Sequence, residues 1–135
     1  MTVKQISVFL ENKSGTLITV LDLLKKESIQ LVASTVADTA EYGIFRMICS
    51  DPQRAYAAMK AAGLAVSISD VFAIDLEDRP GCAADVIGVF ASQGVGISYL
   101  YSFLFAGKGV LIFKTDDIAR GEQIIKEKGY TSQLV

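Results

Sequence analysis

Two short stretches, Leu10-Glu11-Asn12-Lys13-Ser14-Gly15 and Leu76-Glu77-Asp78-Arg79-Pro80-Gly81, stand 66 residues apart, and each joins an alternating apolar segment to a helical one. Such a strand-to-helix step can hold a small anionic group. The first N–H groups of a helix have no partner inside it, the positive end of the helix dipole favours a carboxylate, and glycine lets a ligand approach the backbone. An ammonium group on the same ligand would need acceptors, which the side chains of Asn12 and Asp78 and nearby carbonyls can provide. The candidate ligand-binding residues are therefore Glu11, Asn12, Lys13, Ser14, Gly15, Thr16 and Leu17 in the first stretch. In the second they are Asp78, Arg79, Pro80, Gly81, Cys82 and Ala83. Asn12, Asp78 and Pro80 are equally suited to be plain turn and cap residues.

The two stretches belong to a longer repeat. Under the same 66-residue shift Val20 meets Val86, Ala40 meets Ala106, Gly43 meets Gly109 and Asp51 meets Asp117. Arg54 likewise meets Arg120, Lys60 meets Lys126 and Gly63 meets Gly129. Recurring glycines carry the most weight, because turns and close backbone approaches require them where apolar drift does not. The chain of 135 residues thus reads as two units, 1–70 and 71–135. Each is too small to bury a large core alone, and buried surface shared between the units or with a second chain is expected.

Periodicity orders the elements that must position the steps. Ile6, Val8 and Leu10, and again Phe72, Ile74 and Leu76, alternate as strands do. Leu17, Val20, Leu21 and Leu24, and again Ala83, Val86, Ile87 and Phe90, form one stripe of an amphipathic helix. Strands over 30–38 and 43–49, and over 96–105 and 109–114, form hairpins whose turns end at Gly43 and Gly109. A second helix starts near Asp51-Pro52 or Asp116-Asp117 and stops at Gly63 or Gly129. Final strands are expected over Leu64 to Ser69 and Tyr130 to Leu134. This is an α+β fold: two ferredoxin-like βαββαβ units in tandem, each an antiparallel sheet with two helices on one face. The strand from Ile97 to Phe105 is apolar or aromatic on both faces, as is Val110 to Phe113, which fits either a central strand or a covered face.

With this order and the repeated L-E-(N/D)-(K/R)-(S/P)-G step, the chain resembles a tandem of ACT domains, the amino-acid-binding regulatory modules of biosynthetic enzymes. The second unit carries the fuller pattern, Asp78-Arg79-Pro80-Gly81 followed by Phe90-Ala91-Ser92-Gln93-Gly94-Val95-Gly96-Ile97. The first is looser, with Ser14 where proline is usual and Glu27-Ser28-Ile29-Gln30-Leu31 in place of the glycine-led turn. Where many amino-acid-binding members have asparagine in that turn, this chain has Gly96 and Gln30, so ligand geometry differs or one of the two sites is empty. The resemblance implies a non-catalytic regulatory or sensor protein that binds an amino acid at the ACT–ACT or dimer interface. It also implies a homo-oligomer, a homodimer above all, with a metabolic enzyme as a possible further partner. The competing reading is a ligand-free interaction module that acts as regulatory subunit of an enzyme or transporter.

Other chemistries find little support. The chain has no histidine, which removes the commonest general base and metal ligand. Cys82 at a helix start has no histidine to activate it. Asp116-Asp117 reads as a cap, and Gly94-x-Gly96 lacks the third glycine of a dinucleotide fingerprint. Tyr99, Tyr101, Phe103 and Phe105 share one strand face, yet no arginine or lysine accompanies them as nucleic-acid binding requires. Lys25-Lys26-Glu27 and Lys126-Glu127-Lys128 read as solvated helix ends. No enzyme activity, cofactor or metal is expected.

A net charge of −2 and a pI near 5.1 disfavour nucleic acid and acidic membranes as partners. Apolar residues make up 51% of the chain, but no run reaches the ~20 residues of a membrane span. Met1-Thr2-Val3-Lys4-Gln5 does not read as the start of a secretory signal, Cys49 and Cys82 fall at non-equivalent positions of the repeat, and a cytoplasmic protein with free thiols is expected.

Overall fold

Alternating apolar positions and amphipathic stripes build, in order, β1 (Thr2–Glu11), α1 (Thr16–Lys26), β2 (Leu31–Asp38), β3 (Tyr42–Cys49) and α2 (Pro52–Ala61). These are followed by β4 (Ala65–Leu76), α3 (Cys82–Ser92), β5 (Ile97–Phe105), β6 (Lys108–Thr115) and α4 (Ile118–Lys128). The computed structural model describes residues 2–11, 15–38 and 42–135. The order is the ferredoxin-like βαββαβ pattern in tandem, with β4 serving as last strand of the first unit and first strand of the second. Two compact units result, Lys4–Ser69 and Asp70–Val135, with residues 1–3 counted in the second.

In the first unit β3 pairs antiparallel with both β1 and β2, setting Ile6 opposite Met47 and Val8 opposite Phe45. Side chains two apart on a strand share a face. Ile6, Val8, Leu10, Phe45 and Met47 therefore meet Val20 and Leu24 of α1 and Ala55 and Met59 of α2 in one core, to which β4 adds Val66 and Ile68. The second unit repeats this: β6 pairs with β4 and β5, and Phe72, Ile74, Leu111 and Phe113 meet Val86 and Phe90 of α3 and Ile124 and Ile125 of α4. Phe113 packs edge-on against Phe90, ring centres 5.0 Å apart. Val110 and Ile112 are buried as well, so β6, flanked by two strands, is covered on both faces. Leu100 and Leu104 of β5 remain exposed, at 51% and 81%.

Repeated identities outside the cores fasten the helices. Asp51 and Asp117 cap α2 and α4, each side chain accepting the N–H three residues on, from Arg54 and Arg120. Those arginines then reach back to the C-cap of the preceding helix: Arg54 donates to the Glu27 carbonyl and Arg120 to the Gln93 side chain.

Three expected details differ. The segments expected as separate strands on either side of the unit boundary form one strand, β4, because Ala65–Leu76 contains no glycine or proline to interrupt the ladder. Residues 130–134 form no strand. Asp75 donates its N–H to the Thr131 carbonyl at 2.8 Å, but its side chain, not its backbone, takes the Gln133 N–H at 3.2 Å, and the ladder stops. The β5–β6 turn is Ala106 and Gly107, with φ of 50° and 80°, the two left-handed residues of a type I′ hairpin. Gly43 and Gly109, expected to end the hairpin turns, lie inside β3 and β6, opposite Leu10 and Leu76.

Candidate functional site

The two strand-to-helix steps are built alike. Gly15 and Gly81 take φ of 87° and 86° and begin α1 and α3 with no side-chain cap, in contrast to the aspartate-capped α2 and α4. Only glycine enters this left-handed conformation without cost. At the first step the Thr16 hydroxyl donates to the Glu11 carbonyl at 2.9 Å. Thr19 gives both its N–H, at 3.1 Å, and its hydroxyl, at 2.8 Å, to the Gly15 carbonyl. Asn12, Lys13 and Ser14 lie outside the described residues.

At the second step Arg79 is held by two carboxylates, Nε to Glu77 and Nη1 to Asp85, each at 2.8 Å. Glu77 first and Asp85 second raise its pKa further above the ordinary guanidinium range. All three side chains face solvent, so the cluster contributes to loop order more than to stability. Asp78, Pro80, Gly81 and Ala83 are exposed, and Cys82 is buried as the first residue of α3.

Beside each step lies a cavity whose described lining residues all belong to one unit. The first, about 390 Å³, is walled by Phe9, Leu10, Glu11, Thr16, Thr19, Tyr42, Gly63, Leu64 and Ala65. The second, about 1050 Å³, is walled by Asp75 to Pro80, by Leu104 and Gly107 to Gly109 of the hairpin, and by Gly129, Tyr130 and Thr131 after α4. Of the nine described residues around the first cavity, seven have their 66-residue counterparts around the second, so the cavity belongs to the repeat. Volumes of this order suit small metabolites.

Of the sequence-derived candidates, Glu11, Thr16, Asp78, Arg79 and Pro80 line a cavity. Gly15, Leu17, Gly81, Cys82 and Ala83 do not line either one. Missed were the strand residues Phe9 and Asp75, the hairpin residues Tyr42 and Lys108, and the post-helix residues Leu64, Ala65, Tyr130 and Thr131. One signal pointed to them: Leu10/Leu76, Glu11/Glu77 and Gly63/Gly129 are repeat identities that end up around the cavities. Tyr130 is half-buried, and burial, then Cys82 and Asp85, push its hydroxyl pKa up, so it meets a ligand as a neutral donor or acceptor.

Two split-βαβ units, each with an uncapped glycine-led helix start beside a repeat-related cavity, define a tandem α+β module. The chain belongs to the ACT family: the family model for an ACT domain pair matches residues 1–132. It is similar to the crystal structure of protein BT0572 from Bacteroides thetaiotaomicron, with 41% identity, 96% of this chain and 90% of that one covered, and a TM-score of 0.91. It shares its fold with the regulatory subunit of aspartate kinase from Thermus thermophilus, solved ligand-free, at 13% identity over 92% of this chain and 91% of that one, TM-score 0.65. The regulatory subunit of aspartate kinase from Thermus flavus is alike at 16% identity, with 91% and 88% covered and a TM-score of 0.62. No curated protein matches the chain. Among the described residues no helix is long and apolar enough to cross a membrane.

Proposed function

We propose that this chain, with functional units 1–70 and 71–135, is a non-catalytic regulatory protein that senses a small ligand, an amino acid, and passes the signal to an enzyme. The observation that carries the reading is the cavity found at the same repeat position in both units, beside an uncapped helix start. The fold shared with regulatory subunits of aspartate kinase supports the regulatory role. A ligand that orders the Glu11 and Glu77 loops would shift the protein's affinity for a partner by its differential affinity for the two states. The buried free thiols of Cys49 and Cys82 fit a reducing cytoplasm.

Calorimetric titration with the common amino acids, one at a time, tests this. Saturable heat for one of them is expected, and silence across the panel under varied salt and pH overturns it. The exposed Leu100 and Leu104 of β5 favour a second reading, docking on a partner or on a second copy of the chain without a ligand. That reading gains if a stoichiometric partner co-purifies and no small molecule is bound.

A further inference from the structure

The two cavities occupy the same repeat position but differ in chemistry. Where the first has Phe9 and Tyr42, the second has Asp75 and Lys108. Phe9 and Tyr42 pack as an aromatic pair, ring centres 6.2 Å apart and planes at 56°. Leu64 and Ala65 of the first cavity correspond to Tyr130 and Thr131 of the second. Among the described residues, the first cavity thus carries an aromatic pair beside Glu11, where the second carries Asp75 and Lys108 beside Glu77.

The charges of the second cavity do not cancel internally. Arg79 is satisfied by Glu77 and by Asp85. Asp75 uses one carboxylate oxygen to accept the Gln133 N–H, which leaves the other for a ligand. Asp78 and Lys108 are exposed, and their side chains have no ion pair or hydrogen bond among the described residues. An anion alone would meet two carboxylates there, and a cation alone would meet the lysine. A molecule carrying both charges satisfies all three groups.

The fold fixes Lys108 for this task. It closes the type I′ turn opposite Phe105, and the pairing of Leu76 with Gly109 sets it beside the exit of β4, where the loop of Glu77 and Asp78 begins. Leu76, Leu104 and Tyr130 give the same cavity an apolar wall for the rest of a ligand.

We propose that the second cavity is the binding site for a zwitterionic small molecule such as an α-amino acid. Its carboxylate is held by Lys108 and its ammonium group by Asp75 and Asp78, and the first cavity, with Phe9 and Tyr42 in place of that charge pair, does not take it. The inference rests on the amino-acid-sensing reading above and adds which unit binds and through which charges.

The test is calorimetry with the common amino acids on the wild type and on Lys108→Met, Lys108→Arg, Asp78→Asn and Tyr42→Phe. One site per chain is expected for any hit. Lys108→Met and Asp78→Asn should each weaken it by ~10-fold or more, Lys108→Arg should retain most of the affinity, and Tyr42→Phe should leave it unchanged. The amine and the acid that each lack one of the hit's charged groups should bind weakly. Amide shifts in a 15N-labelled sample should cluster at 75–80 and 107–109. A hit that ignores Lys108→Met, or two equal sites per chain, overturns this assignment while leaving the sensor reading intact. No binding to the wild type by any amino acid overturns both.

Discussion

Gly96 and Asp116 hold each other twice: the Gly96 N–H donates to the Asp116 carboxylate at 3.0 Å, and the Asp116 N–H donates to the Gly96 carbonyl at 3.1 Å. The first unit repeats the clasp with Gln30 and Ser50, both bonds at 2.9 Å. This accounts for the glycine in a turn where the family often has asparagine. A Cβ on residue 96 would lie 2.7 Å from Asp116 Oδ2. The shorter side chain of Ser50 closes the clasp at Gln30 instead.

Gly96→Ala should accordingly cost ~1 kcal/mol, because the Asp116 carboxylate must swing away and release its hydrogen bond. Asp116→Ser in the same chain should recover part of the loss by copying the first unit. Urea denaturation of the two single variants and the double variant closes the cycle; additive losses would show that the two residues are not coupled.

Two helical glycines should respond to alanine with opposite signs. Gly88 of α3 is exposed with nothing near a new Cβ, and Gly88→Ala should stabilise by ~0.5–1 kcal/mol through helix propensity. At the buried Gly121 of α4 a Cβ would fall 2.4 Å from Phe72 Cε2. Gly121→Ala should lose ~1–3 kcal/mol to overpacking despite the same propensity gain. Melting temperatures read both signs.

Ala106 carries a left-handed φ of 50° at the first position of a turn that asparagine followed by glycine fits best. Ala106→Asn should raise stability by ~0.5–1 kcal/mol, a part of the left-handed penalty of alanine. A fall in the denaturation midpoint would contradict the turn assignment.

Stability should fall on the alkaline side. Burial, the largest cause, raises the pKa of Cys49 above its ordinary 9.0, and burial likewise raises that of Tyr130 above 10.0. The unfolded chain therefore loses these protons first. The stability they support is complete below about pH 9 and declines as pH rises toward the folded-state values. Urea midpoints measured from about pH 8 to about pH 11 should decrease, and less steeply in Cys49→Ala; a flat profile would count against both shifts.

Much of this protein is set by local chemistry and was legible without a structure. A 66-residue repeat, two glycines in register and two aspartate caps determine the order of elements and the helix starts, because turn and cap preferences depend on neighbouring residues. The failures came where distant segments compete. Residues 130–134 follow α4 where the repeat calls for a strand, yet Thr131 accepts a single backbone bond from Asp75, and the Asp75 side chain, not its carbonyl, takes the Gln133 N–H. The cavities were equally out of reach of the sequence. Asp75, Lys108 and Tyr130 come from a strand end, a hairpin and the chain after a helix, and only strand register and helix packing bring them to one place. The sequence by itself determined that each unit starts its helix on a glycine step; the tertiary structure decided that Asp75 and Lys108 border one step where Phe9 and Tyr42 border the other, because strand register and hairpin position set which side chains meet there.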